Sequence, residues 1–247
     1  MEAEKMKKLY IAMWVSLIAM IVVNMLANII PLNGQTTGEI SNNLNVLFTP
    51  AGYVFSIWGL IYFALIVWLI LIRKEVKQQF FSKTIGIAFI LSCILNIAWL
   101  ISWHFLFFKT SIVFMILLLM TLITIYVRYT NDEQRLSQRM PFSIYLGWIS
   151  VATIANISYV LKFNEVSLGV SEVIGTFILI LVAALLALAA VQVSKDLYFV
   201  AVVVWALIGV SVANTNGLLV TGTGIVVGVL IIGSILLFMK HYRTKHA

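Results

Sequence analysis

Three sets of aromatic and amide residues recur at helical spacing in otherwise apolar sequence. Phe55, Trp58 and Tyr62 stand at i, i+3 and i+7, and Asn96, Trp99 and Trp103 repeat that spacing. Tyr145, Trp148, Ala152 and Asn156 stand at i, i+3, i+7 and i+11. Each set falls on one face of a helix. An amide is costly against lipid, so Asn96 and Asn156 face protein or a cavity, and their faces carry tryptophans with them. The chemistry available to such faces is ring stacking and amide hydrogen bonding, and the three faces could line one pocket. Two other uses of these residues stay open at this point: interfacial aromatic belts and amide bonds between helices.

Groups that would do covalent or ionic chemistry are scarce. The acidic residues lie in tails or loops, except Glu172, a few residues into an apolar run. Coupled transport usually needs ionisable groups within the membrane, and mid-span charge is missing. The single cysteine, Cys93, has no cluster of metal-ligating residues around it. No nucleophile with a base, and no zinc spacing, is visible. His104 reads as a headgroup contact near the end of its run. Trp14 and Trp68 read as belt residues, and Trp205 as a packing residue.

The elements that carry these faces follow from composition. The chain has 247 residues, 62% hydrophobic and 10% charged, where soluble domains are nearer a quarter charged. That excludes an ordinary soluble enzyme. Eight apolar runs can be drawn, at about 9–30, 51–72, 84–107, 111–127, 141–161, 168–193, 197–213 and 218–239. The fourth and seventh are short. Lipid permits only helices or closed barrels, and runs this continuous mean helices. The predicted fold is all-α: a polytopic membrane helix bundle of about eight transmembrane helices. The first run reads as a retained helix rather than a cleaved signal.

The net charge of +7 is a matter of topology, with no nucleic acid implied. Of the 16 Lys and Arg residues, all but Lys109 and Lys162 lie in alternate segments counted from the N-terminus. Both termini are therefore expected in the cytoplasm of a multi-pass protein of the cell membrane. The basic loops 73–83 and 128–140 would anchor to anionic headgroups. Segment 31–50, rich in Asn, Thr and Gly and free of Lys and Arg, becomes a long outer loop. At about 1.5 Å per residue, the aromatic and amide groups lie roughly 8–16 Å below the outer helix ends, beneath that loop.

These residues also carry a resemblance. The segment TPAGYVFSIWGLIYFAL (49–65) resembles the second-helix entrance of the tryptophan-rich sensory protein / translocator protein family (TspO/MBR, peripheral benzodiazepine receptors). Pro50, Gly52, Phe55, Trp58 and Tyr62 match residues of its pattern W-x-P-P-G-x-x-F-x-x-x-W-x-x-L-Y, with one residue fewer between Phe55 and Trp58. LNIAW (95–99) resembles the third-helix L-N-x-x-W, and YLGWISVATIAN (145–156) the fifth-helix P-Y-L-x-W-x-x-x-A-x-x-x-N. The resemblance covers residues 9–163. Phe48 stands for the family's Trp and Ala51 for its second Pro, while Pro141 lies one turn before the usual position. Met115 stands near the place of an acidic residue often found in the fourth helix, and an insertion follows Trp103.

The resemblance implies a five-helix domain over 1–163, with outer loop 31–50, plus three extra helices and a basic tail over 164–247. It implies a receptor or sensor binding a flat hydrophobic ligand, a porphyrin-type tetrapyrrole, with no cofactor required. The contacts it assigns are Phe48, Tyr53, Trp58, Tyr62, Asn96, Trp99, Tyr145, Trp148, Ala152 and Asn156. The alternative is a transporter or permease for lipophilic small molecules; an enzyme ranks last. The expected partners are the lipid bilayer and the small-molecule ligand. The glycines of TGTGIVVGVLIIG, with Gly224 and Gly228 in a G-x-x-x-G step, suggest packing within the chain ahead of a homodimer.

Overall fold

A computed structural model describes residues 2–130, 136–166 and 169–246, without the side chains of Leu136 and 241–246. Part of the predicted basic loop 128–140, the first residue of the sixth run (Leu168) and the side chains of Arg243 and Lys245 in the basic tail lie outside the described residues. The helices are α1 (Glu2–Ile29), α2 (Thr37–Asn42), α3 (Ile57–Leu71), α4 (Arg73–Lys77), α5 (Lys83–His104), α6 (Phe108–Thr130), α7 (Leu136–Phe163), α8 (Glu172–Ser194), α9 (Leu197–Ala213) and α10 (Gly217–His246). Short 3-10 turns at Leu32–Gly34 and Gly52–Ser56 complete the order. The fourth run is not short: α6 has 23 residues.

Seven of the described helical stretches are long and apolar enough to cross a membrane. The eighth apolar helix, α9, has only 17 residues, roughly 26 Å. The chain is thus an all-helical, multi-pass integral membrane protein. Its helix surfaces show why. On α1, Met13, Leu17 and Met20 are fully buried while Ile11, Val15 and Ile18 are more than half exposed. Both faces are apolar, because the second solvent is hydrocarbon.

The chain forms two compact units. The first comprises residues 1–40 and 58–146, the second 41–57 and 147–247. This division follows contacts, whereas the boundary at 163 follows the extent of the motif resemblance. In the first unit α5 packs against α1 and α6. At Gly86 an added Cβ would lie 2.9 Å from Leu9, so the missing side chain is what lets α1 approach α5. In the second unit α8, α9 and α10 pack on one another. Gly147 lets α7 approach α9, where a Cβ would lie 3.1 Å from that of Val202.

Several single-residue expectations are corrected. Trp68 is no belt residue: it is 1% exposed, donates to the Tyr129 hydroxyl at 3.1 Å, and has Phe89 and Phe142 at 4.9 and 4.8 Å between ring centroids. A Trp near a helix end suits a core as well as an interface once its N–H has a partner. His104 is no headgroup contact either. It is fully buried; its Nε2 meets Thr37 Oγ1 at 2.9 Å and its Nδ1 the Leu32 carbonyl at 3.2 Å. Asn33 Nδ2 donates to the His104 carbonyl at 3.1 Å, so this residue ties segment 32–37 to the end of α5. Arg139, expected among headgroup anchors, is buried with its guanidinium 5.2 Å from the centre of the Tyr126 ring.

The glycine stripe on α10 divides between two faces. A Cβ on Gly222 would overlap the Phe177 ring of α8, and one on Gly233 would touch Leu188 at 3.5 Å. Gly224 and Gly228 have nothing within 4 Å of that position. Packing within the chain therefore uses Gly222 and Gly233, and the G-x-x-x-G pair faces outward.

Candidate functional site

In the first unit the amide predicted to face inward does so. Asn96 is fully buried; its Nδ2 donates to the Tyr145 hydroxyl at 3.0 Å and its Oδ1 accepts from Asn24 Nδ2 at 2.9 Å. Asn24 also donates to the Met20 carbonyl at 2.9 Å, and the Tyr145 hydroxyl reaches Met20 Sδ at 3.8 Å. Helices α1, α5 and α7 are thereby joined through side chains alone. Asn24 did not figure in the sequence reading; the signal available was one more amide within an apolar run.

Aromatic rings surround this network. Trp58 meets Tyr145 edge-on at 5.9 Å and stacks on Tyr62 at 5.7 Å, with 23° between planes. Trp99 and Trp103 stack at 6.2 Å and 23°, as their i, i+4 spacing on α5 dictates. Two buried donors here, Tyr62 Oη and Trp99 Nε1, have no hydrogen-bond partner among the described residues. A buried polar group without a partner is costly, and such groups need a reason. Each can donate to a carbonyl or carboxylate. Five of the ten residues implied by the resemblance lie in this unit: Trp58, Tyr62, Asn96, Trp99 and Tyr145.

The other five lie in the second unit. Phe48 is fully buried, in a cavity of about 310 Å³ whose lining includes Leu161, Lys162, Glu172 and Thr176. Lys162 pairs with Glu172 and donates to the Asn45 carbonyl at 3.1 Å. Tyr53 meets Trp205 edge-on at 5.2 Å. Trp148 is buried and meets Phe55 edge-on at 5.7 Å; Asn156 is buried and Ala152 half-buried. Trp205 was read from the sequence as packing alone, yet its Nε1 donates to the Val54 carbonyl at 3.3 Å. No group of three or more His, Cys, Asp or Glu that could hold a metal occurs among the described residues.

The sequence pattern of the family described as TSPO-like protein matches residues 10–237. The chain belongs to the TSPO-like protein family. The match takes in α8, α9 and nearly all the hydrophobic length of α10, so the family pattern extends beyond the five helices in which the resemblance was first seen. No curated protein and no solved structure matches the chain. Membership, with the apolar helices and the aromatic clusters, points to a sensor- or receptor-type protein of the membrane.

Proposed function

We propose that this TSPO-like protein is a membrane receptor or sensor for a flat hydrophobic ligand of the tetrapyrrole class. The observation that supports the reading best is the Trp58–Tyr62 stack beside the Asn96–Tyr145 bond, together with the partnerless donors of Tyr62 and Trp99. Stacked rings take up a planar apolar face. Donors already desolvated add little further cost on meeting an acceptor. A porphyrin offers both features, a macrocycle and peripheral carboxylates.

The test is titration of the purified protein with protoporphyrin IX, read by porphyrin absorbance and tryptophan quenching. Tyr62→Phe is the informative variant, because the hydroxyl it removes has no hydrogen-bond partner among the described residues. Apo stability should hold or rise by about 1 kcal/mol, while affinity falls roughly tenfold through loss of a bond to a charged group. Saturable binding weakened by Tyr62→Phe and by Asn96→Ala supports the reading. Binding absent, or indifferent to both variants, overturns it, and ligand flux in liposomes would then favour a permease.

A further inference from the structure

We propose that α9 is a clasp that fixes the backbone of segment 47–54. That segment is largely non-helical, so most of its peptide groups have no helical partners. Two of them, and the Val54 carbonyl that also accepts from Ile57 N in the 3-10 turn, are met from α9 and the residue that caps it. Ala51 N donates to the Gly209 carbonyl at 3.0 Å. Asn214 Nδ2 donates to the Leu47 carbonyl at 2.8 Å while also holding the Val210 carbonyl of its own helix at 2.7 Å. Trp205 Nε1 donates to the Val54 carbonyl, and its ring receives Tyr53 edge-on. Trp205 and Gly209 are one turn apart, on one face of α9. Gly209 has no side chain because Val54 occupies that place: a Cβ there would overlap the valine and lie 3.2 Å from Pro50 Cβ.

Non-helical backbone in a membrane protein is tolerated where protein satisfies it. Here satisfaction comes from a helix at the lower limit of length for a span, which gives α9 a task besides crossing. The segment it holds carries Phe48 and Tyr53, and the 3-10 turn Gly52–Ser56 leads from it into α3. Trp205, Gly209 and Asn214 are positioning residues that set how Phe48 and Tyr53 are presented. As far as those two residues serve a ligand, this rests on the function proposed above; the clasp itself does not.

Hydrogen exchange of the full-length protein in lipid nanodiscs, followed over peptides covering 46–56, tests the clasp without a ligand. Gly209→Ala and Asn214→Ala should each speed exchange there by roughly tenfold, with helices α5 and α6 unchanged. Gly209→Ala combined with Val54→Ala removes the overlapping methyl and should return exchange to within about threefold of wild type. Unchanged exchange in both single variants overturns the proposal. So does acceleration spread over all helices, or a double variant no better than Gly209→Ala. Protoporphyrin IX dissociation should quicken in Gly209→Ala and recover in the double variant. Dissociation that ignores these variants while exchange responds overturns the positioning role. If wild-type protein does not bind the porphyrin, the ligand reading falls and exchange alone decides the clasp.

Discussion

The Asn24–Asn96–Tyr145 network of the first unit and the α9 contacts of the second satisfy their polar groups in different ways. In the first, side chain meets side chain: Asn24, Asn96 and Tyr145 join three helices whose backbones are already complete. In the second, polar groups of α9 and its cap meet the main chain of a segment that cannot complete itself. The first arrangement orients helices and leaves donors over, at Tyr62 and Trp99. The second uses its donors on structure around segment 47–54, although the buried Thr223 and Ser234 hydroxyls of α10 also have no partner among the described residues. Spare, desolvated donors suit recognition; backbone-directed donors suit restraint of a segment with little regular structure of its own. The same residue types, Asn and Trp, do both, so composition alone does not separate the roles.

The largest effect that would break this comparison is expected from Asn96→Ala. It takes one bond each from Asn24 and Tyr145 in a buried site, leaving their side-chain polar atoms only Met20 contacts among the described residues, and incomplete satisfaction of such groups costs about 1–3 kcal/mol. Asn214→Ala removes bonds at a half-buried site and should cost about 1 kcal/mol or less, in keeping with measured membrane hydrogen bonds. Thermal unfolding in detergent compares them. Equal losses would mean that the two networks are equivalent, and that the division of roles is wrong.

Much of the fold was legible because apolar length and hydropathy suffice to specify membrane helices. Periodicity also picked the correct face for Asn96, since an amide has few tolerable places in a lipid-facing helix. Partners were less legible. Spacing says which residues share a face, not which neighbour that face meets, so Asn24 went unseen opposite Asn96. Trp68 and His104 lay near helix ends, where an interface and a capped core look alike in sequence. Trp205 looked inert because the carbonyl it serves lies 151 residues away in the chain. Thr36 and Glu39 form a capping box: Thr36 N donates to Glu39 Oε2 at 2.7 Å, and Glu39 N to Thr36 Oγ1 at 3.2 Å. The T-x-x-E pattern was there to read, but sits in a segment whose composition suggested only a loop.

A smaller effect would sharpen the account of the second unit. Gly222→Ala drives a methyl into the Phe177 ring and should destabilise by about 1–3 kcal/mol. Gly224→Ala meets open space and should stabilise α10 by up to about 1 kcal/mol through helix propensity. Chemical unfolding of the two variants, with molecular mass measured alongside, checks both. A loss of mass or of stability in Gly224→Ala would show that the outward glycine face is occupied by another copy of the chain.

The smallest effect concerns how the two halves of segment 31–57 are held. Residues 36–42 depend on their own capping box, residues 47–54 on α9. Glu39 is exposed, and the Thr36 backbone N–H, then the Thr36 hydroxyl, hold its carboxyl below the usual glutamate value of 4.5. A depressed folded value means that this contribution is present above the ordinary carboxylate range and is lost as pH falls through the folded value. Amide exchange within α2, corrected for its intrinsic pH dependence, should therefore lose protection on acidification in wild-type protein. In Glu39→Gln that pH dependence should vanish. Exchange in 47–54 should ignore both the acid and the variant, because its donors are an asparagine, an indole and a peptide N–H, none of which titrates in that range. A parallel loss of protection in both halves would show that α2 and the clasped segment open as one piece, and that the local cap contributes to holding the region α9 grips.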